Sequence, residues 1–438
     1  MKVESVLEYD PATDEILGPY KYMQVALARG LFKNWKQPVF IGFDQSMKKG
    51  IMLSIITNLH EKGINVVAIV SDNCPANIAC WKDLEATGFD HPFFCILSQK
   101  RVYVIPDAPH LLKLTRNWLI DHGFSIGHKK ITSQTLFQIV NDRLNAEMRP
   151  VFKISKGHLV MTNQEKQNVS KAAQVLSRTV AISLQRYVSN EAANDLADFI
   201  ETVYFWFCVS NSYSPLAKEH YEQSFNGNDH QKQALSDMYN LMKNSTVIGK
   251  HSLQTFQKSI LIQINALQML FDDMKRRHKV SFLSTYKINQ DVLENFFSQL
   301  RQRGGVYDHP SPLSCIYRVR IMVLGKSPSI IHNQSGREQR KIIKPDEYLT
   351  STGADVAGSE DQEQINSSEN EEFISATVFS EAEINPRLPD VAEMESLNGM
   401  SQDKSDTVST VSSTQLNMTE QESDGLEYIM GYLAMKYQ

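Results

Sequence analysis

The chain has 438 residues, 42% hydrophobic and 22% charged, with a formal net charge of -5. This is globular composition with length for two or three domains. Five Cys without a Cys-x-x-Cys pair (Cys74, Cys80, Cys95, Cys208, Cys315) exclude a disulfide scaffold and a readable structural zinc module, and no apolar run is long enough to span a bilayer.

Residues 3–9 and 14–17 predict two short strands around an Asp10-Pro-Ala-Thr-Asp14 turn. Tyr22 to Phe32 reads as helix or irregular chain, and Pro38 to Phe43 as an apolar strand. Met47 to Lys62 has helical period and ends at Gly63, a C-cap residue. Ile64 to Val70 is a continuous β-branched run, the pattern of a strand buried on both faces, and it finishes at Ser71-Asp72-Asn73. A helix over Cys74 to Thr87 and a strand over Val102 to Ile105 follow. Strand–helix alternation predicts a mixed sheet with helices packed on it. The opening Met1-Lys-Val-Glu4 moves straight into strand-like sequence, so the chain is expected to begin inside a domain.

Between Leu119 and Thr285 the strand signals nearly disappear. Thr135 to Asn145, Gln164 to Tyr187, Asn190 to Ser210, Gln231 to Lys243 and His251 to Lys275 read as helices, which makes the block a helical insertion. Leu313 to Leu324 is a short helix expected to pack back on the sheet, and the basic stretch from Arg337 to Lys344 leads out of the folded part. From about Asp346 to Asp424, Ser, Thr, Gly, Glu and Asp dominate, a composition expected to be disordered. Residues 425–438 turn apolar again and read as an amphipathic helix.

The chemistry concentrates in carboxylates. In Ile288 to Pro310, Asp291 precedes Val292, Leu293, Phe296, Phe297 and Leu300 at helical spacing. Asp291 can cap that helix, and Glu294 can close a capping box or face a metal. Gly304-Gly305 stops the helix. Asp72 ends the most buried-looking strand, where ligands sit in open α/β sheets. Its plain reading is a turn residue at the next helix start. Asp107 with His110 reads as a helix N-terminus whose His packs, and Asp44 as a turn residue. A two-metal phosphoryl-transfer site needs about three hard carboxylates together, because Mg²⁺ takes oxygen ligands.

Four ordered stretches resemble the P element transposase family, including its domesticated relatives with an amino-terminal THAP zinc finger. They are Trp35-Lys-Gln-Pro-Val-Phe40, Val66 to Asn77 through Asp72, Asp107-x-Pro-His110-Leu-Leu-Lys-Leu-x-Arg116-Asn117, and Asn289-Gln-Asp291-x-x-Glu294 on to Arg303-Gly-Gly and Asp308-His-Pro. The match covers about Met1 to Leu324, with a faint echo at Leu426 to Lys436. The resemblance implies an α/β, RNase H-like domain over 1–118, a helical GTP-binding-like insertion over 119–285, and a closing helix within 286–335. An acidic linker over 336–424 and a helix remnant over 425–438 follow. It implies a DDE/D, Mg²⁺-dependent DNA transposase of the nucleus, with transposon ends as DNA partner, a homo-oligomer among its states and no membrane association.

Asp72 and Glu294 match the second acid and the Glu of the family triad, as catalytic and Mg²⁺-binding residues. The first acid of the pattern would fall just upstream of Met1, so residues 1–438 are expected not to cleave DNA. Lys153 matches a phosphate-contacting Lys; Val169, Ser177 and Asn211 match guanine-nucleotide positions; Asp291 matches an Asp linked to Mg²⁺ and GTP. Two positions depart from the pattern: Asn168 stands where relatives have Lys, and Cys208 where they have an Asp that reads the guanine edge. A thiol cannot accept two N–H donors, and losing a charge-assisted pair costs about 1.5–3 kcal/mol, so GTP is expected to bind weakly. No Gly-rich P-loop is present to replace it. The second reading is a domesticated, non-catalytic DNA- or protein-binding module. The third, a free-standing guanine-nucleotide-binding protein, is weakened by Cys208.

Overall fold

The computed structural model describes residues 1–96, 100–141, 154–188, 190–303 and 309–324. The predicted acidic linker, the terminal helix, the basic stretch at 337–344, the Gly304-Gly305 stop and Lys153 lie outside the described residues.

A hairpin opens the chain, β1 (Glu8–Asp10) against β2 (Glu15–Leu17). Asp10 holds the turn by accepting the Ala12 N–H at 3.0 Å. β3 (Met23–Arg29) and β4 (Lys36–Phe43) form an antiparallel ladder. The expectation of helix or irregular chain over 22–32 is therefore corrected. Met-Gln-Val-Ala-Leu-Ala-Arg contains good helix formers, but pairing with β4 and burial of Met23 and Val25 override that propensity. Residues 1–3 run antiparallel beside the start of β3, with the Val3 N–H on Lys21 O at 3.0 Å and the Met23 N–H on Met1 O at 2.7 Å.

After α1 (Lys49–Glu61) come β5 (Ala68–Ser71), α2 (Pro75–Asp83), β6 (Phe93–Cys95), β7 (Arg101–Pro106) and α3 (Ala108–Asp121). β7 is the middle strand, parallel to β5 and antiparallel to β6, so the sheet is mixed as expected. The strand covered on both faces is β7, whereas every residue of β5 is only half-buried, a second correction. The cause is position: β5 pairs with β7 on one side only among the described strands. Along β7, Tyr103 and Ile105 join the core beneath the insertion, while Val102 and Val104 join Trp81 and Leu84 on the other side. That alternation is the period of two of a strand.

The insertion is mainly helical, with one addition. β8 (Phe124–Ile126) and β9 (Lys129–Ile131) make a hairpin, and β10 (Ser245–Val247) pairs with β8. Gly123, just before β8, has φ +79°, and a Cβ there would come 2.5 Å from Ile131 O. Three-residue strands of this kind leave almost no periodic signal in a sequence. The helices are α4 (Gln134–Asn141), α5 (Val169–Val175), α6 (Arg178–Tyr187), α7 (Glu191–Ser210), α8 (Asp229–Asn244) and α9 (Thr255–His278). The single helix expected over 164–187 is broken at Leu176–Ser177, where Ser177 turns extended.

α9 is the long helix that ties the insertion to the sheet. Ile260, Leu261, Leu267 and Leu270 are fully buried, each stabilising the fold by about 1.5–3 kcal/mol relative to exposure. Tyr103 Oη donates to Asp273 Oδ2 at 2.6 Å and Asn265 Nδ2 to Phe89 O at 2.7 Å. α10 (Asp291–Gln302) and α11 (Pro312–Leu324) close the structure; Leu300, Cys315 and Met322 pack with Val3, Met23 and Val25. The return of the last helix to the sheet is as predicted.

Candidate active site

The carboxyl end of β5, the start of α3 and the start of α10 converge. Asp72 follows β5, and its Oδ1 accepts the Cys74 N–H at 3.1 Å and Asn77 Nδ2 at 2.8 Å. It thus orders the turn into α2, as its plain reading predicted, while staying half-buried.

Asp107 caps α3 by accepting the His110 N–H at 2.9 Å on Oδ2. Its Oδ1 accepts the Gln290 N–H at 2.8 Å, so one buried carboxylate holds the starts of both α3 and α10. Burial pushes this carboxyl up to about 7, against the opposing pull of the Gln290 N–H. His110 is buried, and burial with the nearby Lys113 pushes it down to about 3, leaving a neutral packing residue.

Lys113 lies one turn along α3 among the acids. Burial lowers its ammonium, while Glu294, Asp107 and Asp72, in that order, act the other way. Glu294, in the first turn of α10, keeps part of its surface in solvent while its carboxyl is flanked by other charged groups. Partial burial raises its carboxyl; Lys113 opposes the rise, and Asp291 and Asp72 add to it. Asp72 and Glu294 both act on the charge of Lys113.

The capping role expected of Asp291 is corrected. Asp291 is the first helical residue of α10, Gln290 is the N-cap, and Gln290 makes no side-chain cap bond. The Asp291 carboxylate instead accepts Asn289 Nδ2 at 2.8 Å, because Asp107 already serves the neighbouring N–H.

That same Asn289 amide donates to Asn211 Oδ1 at 2.9 Å, so Asn211, at the end of α7, and Asp291 meet through it. Arg29 of β3 reaches this corner, donating to Tyr286 O at 3.2 Å with its guanidinium 4.7 Å from the Tyr286 ring centroid. Burial raises the Asp291 carboxyl, and Arg29 opposes that rise. Val169 is the first residue of α5, capped by Asn168, whose Oδ1 accepts the Lys171 N–H at 2.9 Å. Asn168 therefore has a structural task here. Ser177 starts α6, and its side chain makes no capping bond. Burial pushes the Cys208 thiol up to about 12, so it is neutral.

The roles of Asn289, Arg29 and Lys113 are not readable from the sequence. Asn289 and Lys113 lie inside family-like stretches, but spacing does not reveal which groups they face. Arg29 belonged to the stretch misread as helix or irregular chain.

Two tests of fit follow. Among the described residues no group of three or more His, Cys, Asp or Glu is arranged to hold a metal ion. Asp72 and Glu294 with Lys113 between their charges do not by themselves make a divalent-cation site. The second corner offers two amides, a carboxylate and an arginine, kinds of donor and acceptor that a purine nucleotide uses.

Family models match four successive segments of the chain. The TNP-like RNase H N-terminal domain matches residues 10–85, the TNP-like GTP-binding insertion domain 109–225, the TNP-like RNase H C-terminal domain 286–313, and a family described as 87kDa Transposase 338–438. The fold is thus that of an RNase H-like transposase interrupted by a GTP-binding insertion domain. The transposable element P transposase of Drosophila melanogaster is 34% identical over 338 residues, 74% of this chain and 44% of that protein. A solved structure titled Drosophila P element transposase strand transfer complex is 33% identical with a TM-score of 0.71, covering 75% of this chain and 76% of its own. The chain belongs to the P element transposase family. It spans 44% of the length of that curated relative. Among the described residues no helix is long and apolar enough to cross a membrane.

Proposed function

We propose that this chain is a P element-type DNA transposase or a remnant of one, acting on transposon ends in the nucleus, and that with Asp72 and Glu294 as its assigned acids it does not cleave DNA. The boundaries that go with this reading are 1–118 and 286–335 for the RNase H-like parts and 119–285 for the insertion. The observation that carries it is the convergence of Asp72, Asp107, Lys113 and Glu294 at the ends of one strand and two helices. Asp72 and Glu294 are the acids we assign to catalysis and to Mg²⁺. They supply two of the roughly three hard ligands a two-metal centre needs, and Lys113 already offsets their charge.

The test is Mg²⁺-dependent nicking of a terminal-repeat duplex by the 438-residue chain. Binding without nicking is the expected result. Nicking that disappears in Asp72→Ala and Glu294→Ala would show that the triad is completed from within this chain and would overturn the expected inactivity. The alternative is a non-catalytic DNA- or protein-binding module of transposase descent, favoured by a donor set of only two assigned acids. An added amino-terminal Phe-Asp-Glu segment separates the two: it restores Mn²⁺ binding under the first reading and leaves it absent under the second.

For the insertion we propose GTP as ligand, held by Lys153, Val169, Ser177, Asn211 and Asp291. Bound GTP would supply triphosphate charge and a guanine edge rich in N–H donors. The Asn211 and Asn289 amides orient polar groups of the ligand, and Arg29 supplies a cation from the sheet to the same corner. This is what would make nucleotide occupancy felt by the RNase H-like part.

A further inference from the structure

Tyr213 lies just beyond the end of α7, and 62% of its surface is exposed. Its backbone, by contrast, is held from several directions. Tyr213 O accepts Ser224 Oγ at 3.3 Å and Ser284 Oγ at 3.4 Å. The Tyr286 N–H donates to Ser212 O at 3.1 Å. The buried Thr285 hydroxyl accepts the Ser212 N–H at 2.7 Å and donates to Val209 O at 2.7 Å. The end of α7 and the segment before α10 are thereby stitched into one unit, which carries two aromatic rings.

The centroids of the Tyr213 and Tyr286 rings are 4.4 Å apart, with the planes tilted by 44°. The Arg29 guanidinium sits 4.7 Å from the Tyr286 centroid while donating to Tyr286 O at 3.2 Å. Lys287, the next residue, donates from Nζ to Asn34 Oδ1 at 3.1 Å. Arg29 belongs to β3 and Asn34 to the turn after it, so the aromatic pair stands on the seam between the insertion and the sheet. Two cations, Arg29 and Lys287, accompany it there.

None of the hydrogen bonds named uses the Tyr213 side chain, so the local fold does not need this ring, and leaving it in water forgoes the stabilisation of burial. A ring on a fixed backbone, with a guanidinium beside its partner, has the chemistry on which an unpaired nucleobase stacks, while cations take the phosphates of the strand. A base inside a duplex cannot use it, because its faces already stack on its neighbours. We propose that the Tyr213–Tyr286 pair is a stacking platform for an unpaired base of a DNA strand, with Arg29 and Lys287 beside the adjoining phosphates. This rests on the DNA reading given above. Asn211 lies two residues before Tyr213, so the strand passes the corner where Asn211 and Asp291 meet through Asn289.

The experiment is fluorescence anisotropy on the full chain without nucleotide, using a labelled mixed-sequence single strand of about 16 nucleotides and the matching duplex. Tyr213→Ala is expected to weaken single-strand binding about 5- to 150-fold, the range for one base–aromatic stack, while Tyr213→Phe stays within about twofold of the parent. Duplex affinity and melting temperature should be unchanged in both variants. Unaltered single-strand binding by Tyr213→Ala, or an equal loss on duplex, overturns the platform while leaving DNA binding intact. A loss in Tyr213→Phe as large as in Tyr213→Ala overturns stacking as its cause. Titration with GTP covers the other occupant: a variant that loses GTP and keeps the single strand assigns the ring to the nucleotide and overturns the proposal. Failure of the parent to bind any DNA overturns the DNA reading, and this inference with it.

Discussion

Asp107→Ala tests the joint between α3 and α10. The variant removes an N-cap, which costs about 0.5–2 kcal/mol. It also leaves the Gln290 N–H without its acceptor, which costs about 1–3 kcal/mol where that group is buried. The expected destabilisation at pH 5 is about 2–4 kcal/mol. Titration then modifies it. The Asp107 carboxyl is raised to about 7 in the folded chain, against about 3.9 unfolded. Between those values the folded state binds more protons than the unfolded state, so this group's contribution falls as pH rises through the folded pKa. From pH 5 to pH 8 that loss is about 2–3 kcal/mol in the parent, and the Ala variant does not undergo it. The destabilisation caused by Asp107→Ala should therefore shrink by about that amount at pH 8. Urea unfolding followed by tryptophan fluorescence, with Trp118 reporting from α3, measures both quantities. A variant as stable as the parent at pH 5, or a cost independent of pH, would refute the bridging role.

Three further outcomes are expected. Arg116 is fully buried, with Nη2 donating to Lys166 O at 3.0 Å; Arg116→Met should cost about 2–4 kcal/mol, and a thermal melt unchanged from the parent would contradict this. Tyr103→Phe removes the buried bond to Asp273, whose carboxylate keeps Arg276 and Arg277 as partners; the cost in a denaturant titration should be about 1–2 kcal/mol and no more. Gly123→Ala forces a Cβ toward Ile131 O at positive φ, so it should destabilise the small sheet by at least about 2 kcal/mol, seen as faster amide exchange at β8 and β9.

Much of the frame was legible because long apolar patterns carry it. α7, α8 and α9 were found almost whole, since three or more turns of periodic burial leave a clear signal. β3 was misread because its alanines and leucine suit a helix, and only the ladder with β4 decides otherwise. β8, β9 and β10 escaped because three residues cannot show a period. The resemblance points to Asp72 and Glu294, and in the fold both carboxylates act on the charge of Lys113. Asp291 is the first residue of α10 and not its cap, because the acceptor for the start of α10 is Asp107, 183 residues earlier than Gln290. Such partnerships have no local trace.

The placement of α9 over β7 also sets an order of events during synthesis. Tyr103 meets Asp273 across 170 residues, and Arg29 meets Tyr286 across 257. At about 5–20 residues per second, roughly 10 to 35 seconds separate the emergence of β7 from that of α9. Throughout that interval the Val-Tyr-Val-Ile strand waits with one apolar face bare, the kind of segment that invites aggregation. The RNase H-like part therefore cannot finish folding on the ribosome before the insertion does, and an expression host that translates this block slowly would lengthen the exposure of this strand.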